Sequence, residues 1–338
     1  MKNMTNEEKV KCCAASNPLY HFFEKNDFWN NCTATIEKTI WQGKESENSL
    51  CFSHSTNSKE QIGKLISIFL PQNKVTFREK FEQAVGGNGN EGRKIMTLHS
   101  SSLLSLLCFY NVTKDHPLTI SIPEINGEKD IVFTESEFEV PNDVTYAYRN
   151  NNPNINSNPS NMDIVLKSND YTLFLESKFS EYLKNGLVSG IKKDVYDQIY
   201  DDLQGFLNES ELKCEDEDGK DTIKLRAKSG NTKNYLAGIK QMISHFMAVC
   251  NYACQNKDEE VILGSILYQF EPKIYDKEHF GNYVKLYGEL IDALDEIKNS
   301  NVPNLTLLRG PLTYQEVFQK NKNLLDEKVA TYYKLADK

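Results

Sequence analysis

Two apolar segments, Met162–Leu166 and Tyr171–Phe179, lie so close together in the chain that only Lys167-Ser168-Asn169-Asp170 separates them. Those four residues suit a tight turn, so the segments predict an antiparallel hairpin. Each strand is apolar on both faces apart from a few ionisable residues, which is the pattern of central strands covered on both sides of a sheet. A fold built on them must bring helices to both faces.

Hydrophobic periodicity supplies the helices. They are predicted at Lys59–Leu70, stopping at Pro71, at Phe77–Val85, and after the turn cluster Gly86-Gly87-Asn88-Gly89-Asn90, where Leu98–Tyr110 is dense enough for burial on several sides. Others are expected at Tyr235–Tyr252 and Tyr283–Ile297, and a last one at Thr313, where Thr313 and Glu316 have capping-box spacing. Short β segments begin at Leu118, and strands are expected at Glu135–Val140, Val261–Phe270 and Leu305–Leu308. Interspersed strands and helices define an α/β (α+β) fold class. Residues 1–75 are weakly patterned and read as a helical N-terminal extension to a domain spanning 76–338. Within that domain, residues 180–234 read as an insertion, helical around Lys193–Leu207, with acidic Glu209–Asp221 as a solvated loop.

Composition limits the function classes. The 338 residues carry a formal net charge of -9, which argues against a protein that coats nucleic acid through Lys and Arg alone. No apolar run approaches the roughly 18–20 residues that cross a bilayer, and Met1–Lys11 is polar, so a cytoplasmic protein without a membrane partner is expected. The eight cysteines include no Cys-x-x-Cys pair, which fits reduced thiols rather than a zinc site.

The residues that carry chemistry are Asp163, Glu176 and Lys178. Alternation along a strand points Glu176 and Lys178 to one face, and pairing of the hairpin brings Asp163 alongside Glu176. Burying such groups is costly unless they are paired or bind a metal. A divalent cation removes the repulsion between two carboxylates, and Mg2+ accepts one or two of them while keeping waters and room for a phosphate oxygen. A lysine beside the ion could position or help deprotonate an attacking water and offset charge developing on phosphorus. A Glu-x-Lys triplet alone is common on solvated faces. Here it lies in an apolar strand, with twelve residues separating it from an acid that opens the preceding strand.

These residues resemble the motif of the PD-(D/E)XK nuclease superfamily, in which an acid on one strand is followed by Asp or Glu, any residue, and Lys on the next. Asn161-Met162 stands where the motif has its proline, with Pro159 further upstream. The resemblance covers about Glu91–Phe270 and implies a restriction endonuclease-like core, a central mixed β-sheet flanked by helices with helical N- and C-terminal additions. It implies a Mg2+-dependent endonuclease on double-stranded DNA, with Mn2+ as a possible substitute. The metal ligands would be Asp163, Glu176 and the backbone carbonyl of Ser177, with Lys178 serving the water. Members often add an acid from the preceding helix, for which Glu91 is the candidate and Glu82 the runner-up. On the later helix, Gln241 resembles a residue that touches the active site or DNA backbone; His245, Lys240 and Tyr235 are candidates for the same support. The phrases around Leu98-His99-Ser100-Ser101 and Thr313-Tyr314-Gln315-Glu316 are similar to bacterial type II restriction endonucleases, which often act as homodimers on two-fold sites. A repair-type exonuclease or nickase, or a silent DNA-binding module, remains an alternative on the same fold.

Two other motifs lead nowhere. His99 beside Ser100 and Ser101 lacks a Gly-x-Ser-x-Gly elbow, and the glycine cluster at 86–90 lacks the Lys-Ser or Lys-Thr ending of a phosphate loop.

Overall fold

The computed structural model describes Phe22, Cys32 and residues 27–30, 37–41, 44–86, 91–125, 129–142, 160–183, 191–192, 199–209, 212–216, 222–227, 238–271, 277–298 and 302–335. The N-terminal part holds strands β1 (Glu37–Trp41) and β2 (Lys44–Cys51), then helices α1 (Ser58–Phe69), α2 (Lys74–Gly86), α3 (Glu91–Lys94) and α4 (Ser101–Phe109). Strands β3 (Leu118–Ile122), β4 (Lys129–Phe133), β5 (Glu135–Asn142), β6 (Ser160–Lys167) and β7 (Tyr171–Lys178) follow. Next come β8 (Ile191–Lys192), α5 (Gln204–Glu209), β9 (Leu212–Asp216) and β10 (Thr222–Ala227). The chain continues through α6 (Ile239–Gln255), β11 (Glu260–Leu267), α7 (Lys277–Ile297), β12 (Leu305–Leu307), β13 (Leu312–Thr313), α8 (Tyr314–Lys320) and α9 (Glu327–Tyr332).

The two apolar segments form the expected hairpin, β6 and β7, closed where the Ser168 N–H donates to the Tyr171 carbonyl at 2.9 Å. They sit inside a mixed sheet of order β12-β11-β7-β6-β5, with β13 also on β11. The β5, β6 and β7 strands run antiparallel in sequence; α6 then crosses over to β11, parallel to β7, and α7 crosses to β12, parallel to β11. Strand alternation divides the core between the two faces. Leu173 and Leu175 pack with Ile164, Leu166 and the buried leucines of α4, whereas Phe174 packs with Val165 and with Ile243, Phe246 and Met247 of α6. No helix among the described residues is long and apolar enough to cross a membrane. Cys51, Cys108 and Cys250 are buried free thiols, and burial pushes the Cys51 thiol up to about 12.

Several expectations need correction. The first 75 residues are not purely helical: β1 and β2 form an antiparallel hairpin, while α1 lies where a helix is predicted. The polar run Lys44-Glu45-Ser46-Glu47-Asn48-Ser49 has no alternation to announce a strand. Nor is this region packed apart from the rest. Phe28, Trp29, Phe52 and Phe69 stand with ring centroids 4.8–5.9 Å from Tyr332 of α9. In the insertion, the acidic stretch contains β9, which pairs with β10 so that Glu215 lies opposite Lys224 in register. The helix expected to run on from Glu91 is broken: α3 ends at Lys94, Thr97 bridges to Cys51, and α4 starts afresh after Ser100, whose hydroxyl oxygen accepts from Leu103 N–H. Thr313 caps α8 as its spacing predicts, accepting from Glu316 N–H, but α9 follows it.

Candidate active site

The β6–β7 ladder is paired from Lys167 opposite Thr172 to Ile164 opposite Leu175, and just beyond its end Asp163 lies close enough to Glu176 for the two charges to act on each other. At that point Asp163 Oδ2 accepts the backbone N–H of Ser177 at 2.8 Å, so a side chain replaces a backbone acceptor where the ladder ends. Glu176 and Lys178 alternate onto the face covered by α6. Lys178 Nζ donates to Glu176 Oε1 and also to Gln241 Oε1 at 2.9 Å. The other oxygen of Glu176 lies 2.6 Å from His245 Nε2. Two cationic or polar donors from β7 and α6 therefore hold the carboxylate from both sides.

Electrostatics follow from this packing. For Glu176, burial favours the neutral acid, but the Lys178 ammonium and the His245 ring outweigh it and bring the carboxyl down to about 2. For Lys178, burial works against the charge, yet Glu176, Glu181 and Asp163 hold the ammonium above its usual range. Asp163 is raised well above the usual carboxylate range, first by burial and then by the charge of Glu176, with Glu139 adding to it. Glu139 is a residue that alternation misplaces. The pairs Phe138–Ile164 and Val140–Met162 flank it on β5, yet it has φ 50° and is buried. A left-handed non-glycine residue costs roughly 1–2 kcal/mol, and this one sits across from Asp163.

The start of α6 is shaped around Lys178. Its N-cap is Gly238, with φ 87°, and a Cβ there would stand 3.2 Å from Lys178 Cε and 3.7 Å from the Tyr283 hydroxyl. Only glycine accepts both the dihedral and the approach. Gln241 is exposed and reaches Lys178, and Lys240 is half-buried, with burial lowering its pKa. His245, read from the sequence as part of a polar stripe, is instead 2% exposed. Tyr235 and the side chain of Glu91 lie outside the described residues; α3, which Glu91 opens, packs on α2, and Glu82 is exposed on α2.

The opposite face of β7 is also engaged. Ser177 Oγ lies 2.7 Å from the Tyr314 hydroxyl, which is 3.1 Å from Ser105 Oγ, so α4, β7 and α8 meet at one buried phenol. Ser105, Glu139 and Tyr314 are absent from the sequence reading of the site. Their roles depend on which helix lies over which strand, and no local pattern encodes that.

Among the described residues, no group of three or more His, Cys, Asp or Glu converges on one metal position. Magnesium asks for fewer, one or two carboxylates with water completing the shell. Two acids on adjacent strands, one with its proton held high by burial and by the charge of the other, fit that demand.

An antiparallel β5-β6-β7 unit, an α6 crossover to a parallel β11, an acid on β6 and Glu-x-Lys on β7 together define a restriction endonuclease-like nuclease fold. The chain belongs to the family described as Restriction Endonuclease associating with ARP, whose model matches residues 22–265. A search of the curated proteins and one of the solved structures each found no match.

Proposed function

We propose that this protein is a Mg2+-dependent endonuclease that hydrolyses phosphodiester bonds of double-stranded DNA. The observation that supports this most is the pair of neighbouring carboxylates, Asp163 and Glu176, on central strands with Lys178 bonded to one of them. Asp163, Glu176 and the backbone carbonyl of Ser177 would hold the ion, with Mn2+ as a substitute. Bound there, it supplies Lewis acidity and makes a coordinated water easier to deprotonate. Lys178 acts as a donor in this arrangement, because the surrounding carboxylates keep it an ammonium. Two of its Nζ hydrogens go to Glu176 and Gln241, and the third would reach the water or a phosphate oxygen as negative charge develops. Lys240, in the first turn of α6, would meet the DNA backbone, a role the sequence also offers to Tyr235.

Supercoiled plasmid incubated with Mg2+ or with EDTA tests the reading. Cleavage is expected with Mg2+ and none with EDTA. Lys178→Ala should cleave about 10²–10³-fold more slowly with its circular dichroism unchanged, and Asp163→Ala should be inactive. Unchanged cleavage in either variant overturns the assignment. Digestion confined to linear DNA would mark an exonuclease, and open circles that never become linear would mark a nickase.

A further inference from the structure

Behind Glu176 runs a line of hydrogen bonds that the roles assigned so far leave unused. His245 Nε2 lies 2.6 Å from Glu176 Oε2, His245 Nδ1 lies 2.7 Å from Ser160 Oγ, and Ser244 Oγ donates to Ser160 Oγ at 3.1 Å. Glu176, His245 and Ser160 are exposed by only 1%, 2% and 7%. An ionised carboxylate can only accept, so Nε2 carries the proton. In a neutral ring Nδ1 is then the acceptor, and it takes the hydroxyl hydrogen of Ser160. The Ser160 oxygen in turn accepts from Ser244. With the ring neutral, every hydrogen in the line points toward Glu176.

We propose that Ser160 is a positioning residue: it fixes His245 as the Nε2–H tautomer and, through the ring, fixes the orientation of the Glu176 carboxylate. Ser160 opens β6 three residues before Asp163, so the line ties the start of one acid's strand to the other acid by way of α6. Serine, histidine and a carboxylate also make up hydrolytic triads, where the serine attacks a carbonyl carbon. Ser160 is not placed for that, since its oxygen is buried and engaged by Ser244, and the carboxylate at the far end is bonded to Lys178. The catalytic meaning of the line rests on the nuclease reading, but its geometry does not.

The test uses the full chain labelled with 15N-histidine, as wild type, Ser160→Ala and Ser160→Thr, with the His245 signals assigned by their loss in His245→Gln. Proton–nitrogen spectra at neutral pH should show the neutral Nε2–H pattern in wild type and Ser160→Thr, and a mixture of tautomers in Ser160→Ala. Calorimetric titration with Mn2+ alone should give an affinity about tenfold weaker in Ser160→Ala, restored by the threonine. In plasmid cleavage, kcat should fall by a similar factor with KM for DNA unchanged. Any other protonation pattern in the wild-type ring overturns the proposal. So does a Ser160→Ala protein with the ring signals and Mn2+ affinity of wild type. If no protein cleaves DNA while the ring behaves as expected, the nuclease reading fails and the positioning line stands.

Discussion

Asp163 is held beside Glu176 and Glu139, and burial together with their charges raises its proton affinity. A carboxyl whose pKa is higher folded than unfolded stabilises the fold below the unfolded value, and that contribution is lost as pH rises through the folded value. At neutral pH the metal-free protein therefore carries the cost of an acid in the wrong place. Asp163→Asn keeps an oxygen for the Ser177 N–H and removes the charge, so its thermal midpoint should exceed that of the metal-free wild type, by a margin that grows from mildly acid to mildly alkaline buffer. Cleavage should be lost at the same time. Melts in EDTA across that range would decide it, and a midpoint at or below wild type would refute the account. At this scale the sequence was most informative where strand alternation and spacing sufficed, as for Asp163, Glu176 and Lys178. It was silent on Ser160, whose partner lies 85 residues away on another element. It misled on Glu139, because alternation assumes a regular strand and the backbone leaves regularity there.

Among the elements, the hairpin β6–β7 and the strand β11 announced themselves through apolar runs that only a two-sided burial explains. The hairpin β1–β2 did not, since the polar run Lys44–Ser49 has no apolar alternation of its own; β9 and β10 are short, and their alternation falls beside an acidic run that reads as a loop. Helix α6 shows how a boundary acquires chemical meaning. Its periodicity extends back to Tyr235, but the left-handed Gly238 sets the first turn at Ile239 and lets the backbone come up against Lys178. Gly238→Ala combines an unfavourable dihedral with a contact that must give. It should lower stability by more than about 1 kcal/mol in urea unfolding and slow cleavage, because relief moves either the helix or the lysine. Wild-type stability in that variant would mean that the close approach is not a constraint.

For the molecule as a whole, the region of α9 is joined to the described N-terminal elements. Asp326, next to α9, accepts the Gln72 N–H at 2.9 Å and the Tyr110 hydroxyl at 2.7 Å, and Tyr332 packs among the N-terminal aromatic rings. A chain ending at residue 311 should therefore lose cooperative unfolding and be cut rapidly by protease within the N-terminal region as well; native-like resistance would show the tail to be an accessory. The net charge of -9 acts at the same scale, so binding to DNA without a cognate site should be weak and should fall steeply with added salt. Gly264 and Tyr314 carry a practical message about where this protein can be divided. A Cβ at Gly264 would fall 2.6 Å from Leu308, and Tyr314 closes the reverse side of β7. The family match stops at residue 265, midway along β11. A cloning boundary drawn there would sever the strand that flanks Glu176 and Lys178 and strip away the residues that seal it.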